Sequence, residues 1–140
     1  MMLPWNTKVN YIMKRGNYIK AANIFRNIAR YTLLSFGSLL FVFALFSGAE
    51  SFGGGIMGVI KNSPNAAPWL GLLLFVFIAW KWELIGGVLI TSLGLFVTWY
   101  MSIRGDNFFI WPFIMFMLLI LMGLFFLLSW YLRKKKQTSF

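Results

Sequence analysis

The chain has 140 residues, 60% of them hydrophobic and only 11% charged, with a formal net charge of +10. Soluble domains carry about 25% charged residues, so this composition excludes an ordinary soluble domain and points to a single compact unit in a membrane. Cysteine and histidine are both absent, which excludes disulfides, thiol chemistry, Cys/His zinc sites, haem ligation by those residues and any imidazole-based triad.

Residues 1–16 are polar, with Pro4 and Gly16 as breakers, and are expected to be irregular. From Asn17 the pattern changes. Polar residues fall at Asn17, Lys20, Asn23, Arg26, Asn27 and Arg30, with Tyr18, Ala21, Ala22, Phe25, Ile28 and Ala29 between them. Spacings of three and four predict a helix with one wet face and one apolar face. Placed directly before a membrane span, a basic amphipathic helix is expected to lie in the headgroup layer. The alternative is a plain extension of the first span into water.

The first span is predicted over residues 31–47. Ser47-Gly48-Ala49, at its end, has the small residues of a signal-peptidase site. The basic region ahead of it is too long for a signal peptide, so the segment is expected to be retained. Ser47 to Pro68 is the longest connection, made flexible by Gly48, Gly53, Gly54, Gly55 and Gly58, and Ser63-Pro64-Asn65 reads as a turn. A loop of that length suggests partner binding or gating, against the plainer reading of a slack linker.

The second span is predicted over 66–80, with Pro68 in its first turn, and the third over 84–100. One fused helix would run roughly 50 Å, against ~30 Å of hydrocarbon, so the chain is expected to turn at Lys81 to Glu83. After a polar turn at residues 102–107, the fourth and most apolar span covers 108–131. The fold class is therefore an all-α membrane protein: a cytoplasmic and interfacial segment over 1–30 that carries the basic amphipathic helix, four transmembrane helices, and a basic tail over 133–140.

Lysine and arginine set the orientation. With four spans, both termini share a side with Lys81, and eleven of the 13 basic residues fall there, leaving Lys61 and Arg104 opposite. Both termini are thus expected in the cytoplasm and the protein in the cell membrane, with Trp69, Trp80, Trp82, Trp99, Trp111 and Trp130 forming interfacial belts. Lys20, Arg26, Arg30, Arg133, Lys134, Lys135 and Lys136 are the expected contacts to anionic headgroups. Beside apolar helices this charge reads as topology and lipid attraction, not nucleic-acid binding.

Few residues offer chemistry. Lys81 and Glu83 are the candidate functional hairpin, either as an ion pair or proton-exchanging site, or simply as turn markers with Lys81 snorkelling and Glu83 at a helix start. Gly87, Thr91, Gly94 and Thr98 line one face of the third span and suit close helix packing, within the chain or between copies. Glu50, Asp106, Lys61 and Arg104 are isolated charges on the outer side. Met115, Met117 and Met122 suit packing or lipid better than a metal path. No cofactor is indicated, and three scattered carboxylates do not make a catalytic set.

Pro68 with its apolar run, Ala79-Trp80-Lys81-Trp82-Glu83, Gly86-Gly87 and Gly94 resemble a family of small bacterial four-helix membrane proteins of unknown function. The resemblance covers about residues 30–132. It implies four spans and a cytoplasmic turn but no activity. The expected function is that of a non-enzymatic accessory or scaffolding subunit, bound to other membrane proteins or to itself. The alternative is a small oligomeric transporter or channel with Lys81 and Glu83 at a cytoplasmic gate.

Overall fold

The computed structural model describes residues 4–104 and 110–137. Four long helices account for nearly all of it: α1 (Trp5–Phe46), α2 (Gly55–Lys81), α3 (Glu83–Arg104) and α4 (Ile110–Gln137), with a short 3₁₀ turn at Glu50–Phe52. All four are long and apolar enough to cross a membrane, which makes this a multi-pass membrane protein by length and composition. Each helix packs on its neighbours in the ring order α1–α2–α3–α4, with α4 closing back onto α1. The core is a single apolar cluster that includes Leu33, Leu72, Val76, Ile90, Leu119 and Phe126. Outside it, large apolar side chains such as Phe43, Phe77 and Phe96 are exposed. That pattern suits lipid, since water would oppose so wide an apolar surface.

The amino-terminal region departs from the sequence expectation. Residues 5–16 are helical, and no break separates an interfacial helix from the first span, because α1 is one helix of 42 residues. Gly16 does not interrupt it. A lone glycine costs a helix about 1 kcal/mol relative to alanine, which a long, well-nucleated helix absorbs. At about 63 Å, α1 is twice the thickness of the hydrocarbon core. Its first buried residue is Ala22, so some 17 residues, or roughly 25 Å, precede the packed part.

The long outer loop is also shorter than the glycines suggest. Only residues 47–54 join α1 to α2; Gly53 and Gly54 at its end and Gly55 at the start of α2 take positive φ values, a conformation that other residues enter at a cost. From Gly55 onward the chain is helical, and Pro64 and Pro68 both lie inside α2. Ser63-Pro64-Asn65 is therefore not a turn. The reason is tertiary: Asn62 is buried, and its Nδ2 donates to the carbonyls of Ala44 (2.8 Å) and Leu45 (2.9 Å). Those carbonyls belong to the last turn of α1, where backbone N–H groups reach Phe43 and Phe46 but not Ala44 or Leu45. Asn65 Nδ2 adds a longer bond to Ala44. Cross-helix capping holds the polar start of α2 helical, and neighbouring helices are what let proline persist in membrane helices.

Between α2 and α3 the break is a single residue. Trp82 adopts an extended conformation (φ −125°, ψ 90°), while its N–H still bonds to the Ile78 carbonyl and its own carbonyl receives Gly86 N–H. The glycine missing from the turn stands four residues on. A Cβ on Gly86 would overlap the backbone and side chain of Ala79, so this corner closes only because Gly86 has none.

Candidate functional site

Around that corner the end of α2, the start of α3 and the last turns of α4 meet the middle of α1. Glu83 opens α3, where the helix dipole favours a carboxylate, and its side chain is only 11% exposed. Arg26 of α1 donates from Nη1 to Glu83 Oε1 at 3.1 Å. Arg133 of α4 brings Nε to 3.4 Å from Glu83 Oε2, an ion pair by distance whose alignment falls short of a hydrogen bond. The fully buried Ser129 hydroxyl of α4 lies 3.0 Å from the same Oε2 and 2.9 Å from the Ala22 carbonyl, either of which accepts its one proton. Asn23 Oδ1 accepts from Arg133 Nη2 at 2.7 Å and from Arg26 Nη2 at 3.2 Å. Arg30 completes the group by donating from Nη2 to the Trp80 carbonyl (2.8 Å) while lying over the Trp80 ring. One carboxylate thus ties α1, α3 and α4 together, and Arg30 adds the end of α2.

This geometry relocates several residues expected at the lipid surface. Arg26, Arg30 and Arg133 turn to protein partners instead of solely to headgroups, because each shares its level of the bundle with Glu83 or the open end of α2. Lys20, Lys134 and Lys135 remain exposed, with Lys134 Nζ over the Trp130 ring. Lys136 lies where side chains are outside the described residues, as do Asp106 and the side chain of Arg104. Lys81 does not pair with Glu83. Its ammonium lies 5.1 Å above the Trp82 ring, while the carboxylate two residues on points into the bundle.

The small-residue face of α3 has its partner in the same chain. A Cβ on Gly87 would press on Phe126 and Leu127, and one on Gly94 would overlap Ile120, all on α4. The complementary glycine on α4 is Gly123, which faces Thr91 and the Gly87 carbonyl. Thr91 and Thr98 spend their hydroxyls on their own helix, donating to Gly87 and Gly94 carbonyls, so the face is a packing surface with no free polar group to offer. Among the described residues no group of His, Cys, Asp or Glu could hold a metal ion.

A family model described as a domain of unknown function, DUF7670, matches residues 17–139. The chain belongs to the DUF7670 family. No curated protein and no solved structure matches it. The DUF7670 region starts well before residue 30, so it takes in Asn23, Arg26 and Arg30 with Glu83, Ser129 and Arg133, the whole of the corner cluster. Sequence reasoning singled out Glu83 but missed Asn23 and Ser129, and did not foresee the pairing of Arg26 with Glu83. One signal was present: Arg26 shares a helical stripe with Ala22, Ala29 and Leu33, all buried. A charged residue on a stripe of buried small residues needs an internal counter-ion.

Proposed function

We propose that this DUF7670 protein is a non-enzymatic accessory or scaffolding subunit of a membrane complex, seated in the cell membrane with both termini in the cytoplasm. The observation that carries the reading is the engagement of Glu83. It is the sole acidic residue on the basic side of the molecule, and it is held by two arginines and a serine in an ion-paired, helix-joining role. A carboxylate so engaged supports architecture better than proton exchange. The divergence of Lys81 and Glu83, with Glu83 engaged inside the bundle, favours this reading over a transporter or channel gated by the two residues.

Two further features support a scaffold. The leading part of α1 reaches past the packed bundle and exposes Trp5, Ile12 and Met13 with Lys8 and Lys14. A stiff helix of mixed apolar and basic character suits a protein or interfacial contact. The outward faces of the four helices also leave ample apolar surface for neighbouring helices. Extraction in mild detergent, followed by particle mass and identification of what travels with the chain, tests the proposal. The expected particle exceeds one copy of this chain plus detergent; a lone monomer with no co-isolated protein would overturn it.

A further inference from the structure

At the α2–α3 corner an open groove of about 500 Å³ has a polar floor of Arg26, Glu83 and Arg133 and walls of Trp80, Trp82 and Trp130. Its volume falls within the roughly 300–1,000 Å³ of small-molecule sites. The charges lining it do not balance. Arg26, Arg133 and Lys81, also at the groove, bring three positive charges against the one negative charge of Glu83. Arg30 stands immediately behind, against Trp80. Behind the groove surface, Arg26 Nε, Arg30 Nε and Arg133 Nε are buried and meet no acceptor in hydrogen-bond geometry, so the protein's own groups leave these guanidiniums under-satisfied. Glu83 is already engaged by Arg26, Arg133 and Ser129. The groove therefore has a surplus of cationic donors and a deficit of anionic acceptors.

The surroundings restrict what could supply the acceptor. Trp80 and Trp82 are about half exposed and stand where two spans end, the level at which tryptophan meets phospholipid headgroups. The groove continues onto Leu84 and Ile85, which are exposed and apolar at the start of α3. A soluble anion has no use for that apolar side; an amphiphile with a phosphate head and acyl chains uses both.

We propose that this groove is a binding site for the phosphate headgroup of an anionic phospholipid. The phosphate lies against Lys81 and the Arg26–Arg133 edge, the tryptophans flank the glycerol region, and the acyl chains descend past Leu84 and Ile85. The site rests on the bilayer placement proposed above and is independent of whether partner proteins are found.

The test uses the full chain in detergent, supplied with equal phosphatidylcholine and phosphatidylglycerol, with bound lipid counted by native mass spectrometry. Phosphatidylglycerol is expected to be retained in preference. Lys81→Gln is expected to weaken that retention about five-fold and Glu83→Gln to strengthen it by a similar factor, as about 1 kcal/mol per headgroup charge requires. The opposite signs separate binding from damage to the fold, which would weaken both. Lys81 lies outside the ion-pair network, so its variant remains decisive if Glu83→Gln does not fold. Equal retention of the two lipids, an unchanged Lys81→Gln, or a folded Glu83→Gln without gain overturns the proposal. So does displacement of the lipid by inorganic phosphate at matched concentration, which would make this a soluble-anion site.

Discussion

Glu83 holds two guanidinium groups apart from each other as well as to itself, and its removal would leave Arg26, Arg30 and Arg133 facing one another with no counter-charge nearby. Stripping one member from a buried ion-paired cluster costs more than the pair contributes over an apolar replacement. Glu83→Ala is expected to destabilise the bundle by about 3 kcal/mol, seen as a lower thermal midpoint in detergent. Arg133→Ala should cost about 1 kcal/mol or less, since that side chain is 37% exposed and water takes over part of its solvation. Equal losses for the two would remove Glu83 from the centre of the cluster. Lys81 and Glu83 stood out in the sequence because charges between apolar runs are conspicuous. Their neighbours did not, because the spacing of Asn23, Arg26 and Arg30 defines a helix face without saying what that face meets. Only the return of α4 to α1, bringing Ser129 and Arg133 alongside, half-buries Asn23 and Arg26 on that otherwise wet face.

Among the elements, the small-residue face of α3 was visible in the sequence and its partner was not, since a stripe of glycine and threonine fits any close-approaching helix. The structure answers with α4 and a single matching glycine. Gly123→Val would drive a side chain into Thr91 and the α3 backbone, with an expected overpacking cost of about 1–3 kcal/mol. Thr98→Val should be nearly neutral, because the Thr98 hydroxyl serves only the carbonyl one turn back. Thermal midpoints in detergent distinguish the two, and a Gly123→Val protein as stable as the parent would mean that α3 and α4 pack less closely than described. The opposite error occurred in α2. Its first turns contain glycines, Ser63, Pro64 and Asn65, all turn-forming residues by local chemistry. Asn62 overrides that preference from a distance of 17–18 residues in sequence, a range no local pattern reports.

For the whole molecule, the number of spans followed from composition and length, and the four helices agree with it. The extent of α1 did not follow, because polar residues mark water or headgroup without marking where a helix ends. Sidedness can be tested directly, as the chain has no cysteine of its own. Asn10→Cys should react with an impermeant maleimide only after cells are opened, and Lys61→Cys should react in intact cells. The reverse pattern would invert the orientation drawn from the basic residues.

The one-residue link at Trp82 also constrains how this chain can change in length. Trp82 alone sets how α3 leaves α2, so one residue inserted between Lys81 and Glu83 would break the seat of Gly86 on Ala79 and displace Gly87, Gly94 and Glu83 from α4 and the arginines together. In the connection from Ser47 to Gly54, residues 50–53 are exposed and carry no such constraint. Insertions and deletions among relatives are expected to accumulate in that outer connection and to be missing from the inner corner, which makes the corner the fixed origin from which alignments of the family should be counted.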